Sequence, residues 1–535
     1  MKSNDQQKPQ DNYLIQVFES VIFLIFSILK ALFALLIKYL VKKDFSKLKF
    51  LTQSHFFKSM IKPERLTVDN LKSITPDTKK LEKIITDPTI IPIGSDLTAE
   101  EPVYLTTREV NQHVLVAGAT GEGKTTLMTT MIRHAMVHGR PIIIIDPKGD
   151  FTDVEKIKTM AKEHGRSEKF KLFSLVYPEN SYSYNPLKVG TPEQLKSKLL
   201  ESLDLKHEYY GSVAAQFLAN LFDVLVFLKR EKPLTLNELL KYLSSPNDLG
   251  KLDNELKALP RSDKLNDLMG KMHILKATDR KDLLGIIAQI NAMCLTEFDA
   301  LLGNKENAFG EVDLYQSLNR SEILYFQMNT PGFADFSSRI GRLILQDLKL
   351  VTNLIQAGKL KKEFEFGVVF IDEFGSFASK SFAELLKMIR STGIGMNLFF
   401  QGIGDLKEVS PSFSEQILGN TKIKIILRQE IDIDVETWSS MAGTVDAEIE
   451  SYQTNNQNIL SNRTGTGNVH IGKKTKIEFD VFKKLKVGQA VVINKGRHIE
   501  NVIQVWQQIE FKASKNQAIV LKKPSLFREN LAIKS

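Results

Sequence analysis

Short apolar runs recur along most of the chain, and each is about as long as one buried β-strand. Runs of this kind are typical of parallel strands covered on both faces, and helical patterns separate most of them here. The pattern therefore predicts an α/β fold built on a central, mostly parallel sheet. The runs lie at residues 113–117, 142–145, 170–176, 323–328, 366–373, 397–401, 422–428 and 489–494.

The spacing of apolar residues changes between residues 191 and 303, where they follow the i, i+3, i+4 pattern of helices. We interpret this range as a helical insertion in the α/β domain. Its most apolar piece, residues 217–228, is twelve residues long, which favours a core helix of the insertion over a membrane span. A later range, 451–467, is rich in Asn, Ser, Thr and Gly and is predicted to be a mobile loop.

Near the N-terminus, residues 17–41 form an apolar run long enough to cross a bilayer, for which about 20 residues suffice. Glu19, Lys30 and Lys38 interrupt the run and fall on one narrow arc of a helix. The helix can span the bilayer with this polar stripe facing sister helices, or lie in the interface as an amphipathic anchor. We favour the span, because the polar arc is narrow and the rest is rich in Phe, Leu and Ile.

Charge and composition limit the class of protein and the compartment to which the chain can belong. Its 535 residues are 42% hydrophobic and 25% charged, as in globular proteins, and the formal net charge is +9. Residues 42–83 hold 11 Lys or Arg against 5 Asp or Glu. This basic flank can contact anionic lipid or DNA, of which we favour lipid, and it predicts a cytoplasmic location for the rest of the chain. The single cysteine, Cys294, excludes an intramolecular disulfide and a cysteine-built zinc site.

The clearest chemical motif is GATGEGKTT, which stands between an apolar run and a helix-like segment. It matches the phosphate-binding loop G-x-x-x-x-G-K-S/T, in which backbone N–H groups and a helix N-terminus bind phosphate oxygens. Lys124 is expected to reach the β- and γ-phosphates of ATP, and Thr125 to ligate Mg²⁺. The predicted nucleotide-binding residues are Gly118, Ala119, Thr120, Gly121, Glu122, Gly123, Lys124, Thr125 and Thr126.

A second, acidic motif completes the predicted ATPase site. The apolar run 368–371 is followed directly by Asp372 and Glu373, which is the pattern of a Walker B strand. Asp372 is expected to help hold Mg²⁺, and Glu373 to orient the attacking water. The next strand ends at Gln401, whose amide can read the γ-phosphate or the water.

Charge that develops on the γ-phosphate requires a further cation, because Lys124 offsets only part of it. Arg390 and Arg428 are the two candidates in the second half of the chain. A neighbouring subunit can supply either of them as an arginine finger.

Together, these motifs resemble the TraD/TraG-type coupling proteins of conjugative type IV secretion, within the wider group of hexameric HerA/FtsK-like pumping ATPases. The resemblance rests on the membrane segment, GATGEGKTT, IIIIDPKGD, YNPL, the helical insertion and the stretch from GVVFIDEF to FFQGIGDL. It implies a RecA-like P-loop ATPase domain. Arg390 stands eleven positions before Gln401, as does the intersubunit finger of the family, and Arg428 becomes the secondary candidate.

The resemblance also implies partners. These are a homo-hexameric ring, DNA bound largely without sequence preference, a relaxase or relaxosome, channel components of a type IV secretion system, and the bacterial inner membrane, with the ATPase domain in the cytoplasm. The helical insertion would lie at the mouth of the ring, where the relaxase–DNA complex is received. The chain departs from the family in showing one apolar segment rather than two and no long acidic C-terminal tail.

The predicted function is that of a membrane-anchored, ATP-driven DNA translocase that recruits the relaxase–DNA complex to a conjugation channel. The alternatives are a HerA/FtsK-like translocase outside conjugation and a coupling adaptor for protein effectors. The predicted domains are a membrane anchor (1–45), a basic juxtamembrane linker with leading strands (46–105), the first part of the ATPase domain (106–190), the all-α insertion (191–303), the second part of the ATPase domain (304–510) and a basic tail (511–535).

Overall fold

The computed structural model describes residues 65–506 apart from 204, 206–207, 229–232, 304–306, 308, 455–462 and 498. Nearly all of them belong to one compact unit that begins at Thr67. The predicted membrane segment 17–41 and the basic tail 511–535 lie outside the described residues. The strands are β1 Ile90–Asp96, β2 Pro102–Thr106, β3 Val114–Ala117, β4 Ile142–Asp146, β5 Phe170–Ser174, β6 Ile323–Gln327, β7 Gly367–Ile371, β8 Ile394–Phe400, β9 Ile423–Ile426, β10 Thr444–Thr454, β11 Arg463–Thr475, β12 Gln489–Asn494 and β13 Ile499–Val505.

Eleven of these strands form a single sheet in the order β2-β1-β13-β12-β9-β3-β8-β7-β4-β6-β5. The strands from β9 to β5 run parallel, which confirms the predicted α/β class with a mostly parallel sheet. The prediction that residues 489–494 join the parallel set is wrong, because β12 pairs antiparallel with both β9 and β13. The four-residue connection 495–498 explains the second pairing, since a parallel crossover needs about a dozen residues.

Helices cover the sheet and bury its apolar residues. The helices are α1 Thr78–Ile85, α2 Thr107–Val110, α3 Lys124–Val137, α4 Phe151–Glu163, α5 Pro192–Ser202, α6 Glu208–Phe227, α7 Leu236–Ser244, α8 Pro246–Lys257, α9 Asp263–Ala277, α10 Leu284–Asn291, α11 Leu314–Asn319, α12 Ala334–Gln356, α13 Phe382–Ile389, α14 Ile403–Lys407, α15 Pro411–Asn420, α16 Asp432–Ala442 and α17 Phe479–Lys484. On one face, Val114 and Val116 of β3 join a core cluster with Leu127 and Met131 of α3. All four β3 residues are buried, as a continuous apolar run predicts.

Helices α5 to α10 occupy the range predicted to be a helical insertion. Helix α6 is longer than the twelve residues inferred from its apolar piece, and it packs against α5 and α9. Its 20 residues are long and apolar enough to cross a membrane, and no other helix in the described ranges meets that criterion. Phe217, Leu218, Leu221 and Phe222 are nevertheless fully buried in the protein, as in the core helix expected here.

The predicted mobile loop at 451–467 is wrong at both of its ends. Strands β10 and β11 form an antiparallel hairpin in which Tyr452 pairs with Gly467 and Thr454 with Arg463. The Asn, Ser and Gly content of this range pointed to a loop, but the two strands satisfy each other's backbone groups by pairing.

Candidate functional site

The phosphate-binding sequence joins β3 to α3 at the carboxyl edge of the parallel sheet. Gly121 and Gly123 have φ of 85° and 109°, values that favour glycine because they lie in the left-handed region. A Cβ added at Gly118 would lie 2.8 Å from Leu427 Cβ, so the loop also needs a small residue where it passes β9. Ala119, Thr125 and Thr126 are half-buried, and Thr120 is exposed at the tip, all within the same loop and first helical turn.

Lys124 opens helix α3, and its ammonium turns back over the loop. Its Nζ donates hydrogen bonds to the carbonyls of Gly118 and Ala119 at 2.6 and 3.2 Å. Burial lowers the pKa of Lys124, while the nearby carboxylates of Glu373 and Asp372 act in the opposite direction. The structure therefore brings the loop lysine and the acidic pair together across about 250 residues of sequence.

The acidic pair lies directly after β7. Asp372 is buried, and its Oδ1 accepts a hydrogen bond from the Glu373 amide at 3.0 Å. Glu373 has φ 41° and ψ 54°, a left-handed conformation that is unusual for a residue with a side chain and typical of functional sites. The turn directs its carboxylate toward Gln401, whose Nε2 donates to Glu373 Oε2 at 3.2 Å.

Gln401 stands at the end of β8, where two further carboxylates fix the chain. Asp405 Oδ2 accepts from the Gln401 amide at 3.1 Å, and Asp434 Oδ2 accepts from the Ile403 amide at 2.9 Å. These bonds hold the start of α14 and leave the Gln401 side chain exposed beside the acidic pair.

Lys148, from the turn after β4, completes the ionic cluster. Its Nζ lies 2.7 Å from Asp372 Oδ2 and 3.6 Å from Glu373 Oε1. Its own backbone amide donates to Asp146 Oδ1 at 2.9 Å, and Tyr325 donates to the other oxygen of Asp146. Burial raises the pKa of Asp146 to about 6, although both hydrogen bonds act against that shift.

Arg428 lies next to the phosphate-binding loop of its own subunit. It follows β9, and its Nη2 donates to Glu122 Oε1 at 2.5 Å. The Glu122 side chain is 4% exposed, so this ion pair anchors the interior of the loop to the end of β9.

Arg390 lies at the opposite edge of the sheet. It follows α13 and precedes β8, and its carbonyl accepts a hydrogen bond from Asn111 at 3.0 Å. Its charge also acts on His113, the residue before β3, whose pKa is lowered to about 4 mainly by burial. The seven residues of β8 separate Arg390 from Gln401, which is roughly 20 Å at about 3.3 Å per residue. The exposed Arg390 side chain therefore lies far from the cluster around Lys124.

Comparison with known proteins agrees with this arrangement. The family model of the helicase HerA central domain matches residues 91–287, and that of the TraM recognition site of TraD and TraG matches residues 368–485. The type 4 coupling protein DotL of Legionella pneumophila is 22% identical over 464 residues, which cover 76% of this chain and 58% of DotL. The resemblance to the TraD/TraG-type coupling proteins is confirmed.

Solved structures of the conjugative coupling protein TrwB share the fold of this chain. The unbound TrwBdeltaN70 structure matches with a TM-score of 0.55 at 14% identity, covering 82% of this chain and 92% of that one. The TrwB complex with ADP and Mg²⁺ matches with a TM-score of 0.53 at 14% identity, covering 82% and 93%. The fold is thus that of a RecA-like P-loop ATPase domain.

The residues of this site fit a magnesium-bound nucleotide. Asp372 offers the hard oxygen ligand that Mg²⁺ prefers, and Lys124 lies inside a glycine loop whose backbone can approach phosphate closely. Sequence reasoning noted DPKGD as a motif but gave no role to Lys148, since its contact with Asp372 joins residues 224 positions apart. The position directly after a buried strand, at the edge shared with Asp372, was the available signal.

Proposed function

We propose that the chain is an ATPase that uses ATP and Mg²⁺. The observation that carries this proposal is the convergence of Lys124, Asp372, Glu373 and Gln401 around a loop of phosphate-binding sequence. Thr125 and Asp372 would hold the magnesium ion, which supplies positive charge to the β- and γ-phosphates.

Each of the remaining groups has a separate role in phosphoryl transfer. Residues 118–126 bind phosphates through backbone N–H groups, and Lys124 exchanges its loop carbonyls for phosphate oxygens. Glu373 orients the attacking water, since transfer to water depends mainly on positioning and electrostatics. Gln401 holds the Glu373 carboxylate and couples it to the end of β8.

Arg390 acts in this proposal as an arginine finger on a neighbouring subunit's nucleotide, within a homo-hexameric ring. Its exposure and its position at the far edge of the sheet support action in trans, because β8 separates it from its own site. Arg428 contacts its own loop through Glu122, which favours a structural role for it over that of a finger.

The substrate follows from the family. DotL is named a type 4 coupling protein and TrwB a conjugative coupling protein, so we infer a role in delivering substrate to a type IV secretion channel. The proposed cargo is DNA with its relaxase, gripped through phosphates with little sequence preference. The proposed location is the bacterial inner membrane, with the ATPase domain in the cytoplasm. Delivery of protein effectors is the second candidate, because DotL is named a type 4 coupling protein and its name does not mention conjugation.

ATP hydrolysis by the purified full chain, with and without DNA, tests the proposed ATPase activity and the proposed DNA cargo. Lys124→Ala and Arg390→Ala should each abolish turnover, and mixing Arg390→Ala with Glu373→Gln subunits should restore part of it if the finger acts in trans. Normal turnover by Arg390→Ala would refute the finger assignment. Turnover that is indifferent to DNA of any form would favour the effector-coupling candidate.

A further inference from the structure

Both carboxylate oxygens of Asp372 have a partner within the protein. Oδ1 accepts from the Glu373 amide at 3.0 Å, and Oδ2 accepts from Lys148 Nζ at 2.7 Å. The first partner is backbone held by the turn after β7. The second is a flexible side chain that is 39% exposed and can swing away. A metal ion that binds Asp372 directly at this position on Oδ2 would therefore replace the Lys148 ammonium.

The turn after β4 places the backbone of Lys148 beside the acidic pair. Its amide is fixed by Asp146, and Gly149 follows with φ 73°. A Cβ at Gly149 would come within 2.7 Å of the Met328 carbonyl, so the turn packs tightly against the end of β6. The turn thus holds the backbone of Lys148 within reach of Asp372.

Electrostatics decides when the exchange is favourable. Lys124 and Lys148 already face the carboxylates of Asp372, Glu373, Asp146 and Asp405. Magnesium alone would displace the Lys148 ammonium from its 2.7 Å contact with Asp372 without bringing it another anion. A nucleotide brings several negative charges to the same place, and its phosphates give the displaced ammonium a new anionic partner. The free energy needed to move the Lys148 ammonium away from Asp372 is therefore offset only when metal and phosphate bind together.

We propose that Lys148 occupies the magnesium position on Asp372 and makes metal binding conditional on nucleotide. This inference rests on the proposed ATPase function of the site. Lys148 is in this view a positioning residue: it keeps Asp372 and Glu373 paired and in place until a metal–nucleotide complex replaces it.

Binding of Mn²⁺, a spectroscopic substitute for Mg²⁺, tests the inference in the purified full chain. Electron paramagnetic resonance reports free Mn²⁺, with and without ADP. The wild-type chain should bind Mn²⁺ tightly only with ADP, whereas Lys148→Met should bind Mn²⁺ alone on the order of tenfold more tightly than wild type. Lys148→Arg should behave as wild type, because it keeps the charge.

Two controls make the result specific. Lys158→Met removes a lysine that lies 3.6 Å from Glu155 in an ion pair outside the site, and it should leave Mn²⁺ binding unchanged. Adding Asp372→Asn to Lys148→Met should abolish the gain, which assigns the bound ion to this carboxylate.

Equal Mn²⁺ affinity of the wild type with and without ADP would overturn the inference, and that measurement needs no variant to fold. A Lys148→Met or Lys148→Gln chain that folds but binds Mn²⁺ alone no better than wild type would also overturn it. Absence of ATP hydrolysis by the wild type would instead refute the proposed function, while the comparison of Mn²⁺ binding without nucleotide would stand.

Discussion

The ion pair between Arg428 and Glu122 connects the phosphate-binding loop to β9, and its removal should weaken nucleotide binding. Arg428 Nη2 donates to Glu122 Oε1 at 2.5 Å. The second carboxylate oxygen, Oε2, is buried without a hydrogen-bond partner within the described residues. Arg428→Ala therefore leaves a nearly buried carboxylate without its cation at the centre of the loop.

The size of the effect follows from the exposure of the two side chains. Losing one partner of a fully buried ion pair costs about 3–5 kcal/mol. The Arg428 side chain is 38% exposed, so screening by water reduces the cost, and we expect about 1–3 kcal/mol of loop stability to be lost. At about 1.4 kcal/mol per factor of ten, nucleotide affinity should fall roughly 5- to 100-fold.

The double variant Arg428→Met/Glu122→Gln separates a structural tether from a catalytic arginine. It removes the uncompensated charge, so the affinity for a fluorescent ADP analogue should return close to that of wild type, and ATP hydrolysis should return with it. Unchanged affinity in Arg428→Ala would refute the tether. A double variant that binds the analogue normally but hydrolyses no ATP would place Arg428 among the groups that act on the phosphate.

Three further predictions concern other positions. Burial raises the pKa of Asp146 from 3.8 to about 6, so the protonated carboxyl favours the folded state. The free energy of unfolding should therefore fall by roughly 3 kcal/mol as the pH rises from below 4 through 6. Asp146→Asn should lack this fall in urea unfolding across that range. Lys198→Met leaves the half-buried Asp347 without the ammonium 2.6 Å away and should lower the free energy of unfolding by about 3 kcal/mol in the same assay. Gly118→Ala forces a Cβ against Leu427 and should weaken binding of the ADP analogue by about tenfold or more, so unchanged affinity would contradict the close approach.

The parts of the site that sequence predicts are those encoded locally. The phosphate-binding loop, the acidic pair after β7 and Gln401 after β8 each follow a continuous apolar run, and parallel strands present their carboxyl ends at one edge. Their proximity follows once a parallel sheet is assumed. The same logic predicts the seven parallel strands, and it predicts β12 as a strand but not its antiparallel direction.

The parts that sequence does not predict depend on long-range partners. Strand β1 contains Pro92 and Gly94 with a register shift between them, features that weaken a strand pattern, yet it pairs with both β2 and β13. The contacts of Lys148 and Arg428 join residues 224 and 306 positions apart, and no local pattern distinguishes them from solvated cations. Hairpin β10–β11 likewise forms through pairing that its composition does not reveal.

The position of β3 in the sheet has a consequence for how the chain is made. Its two neighbours, β8 and β9, leave the ribosome only after about 280 and 310 more residues, which takes roughly 15–60 s at ordinary elongation rates of about 5–20 residues per second. Throughout that interval an apolar strand with two open edges must be kept from pairing with other nascent chains. Chains that terminate before residue 423 never cover one of those edges, so they should aggregate and depend on chaperones.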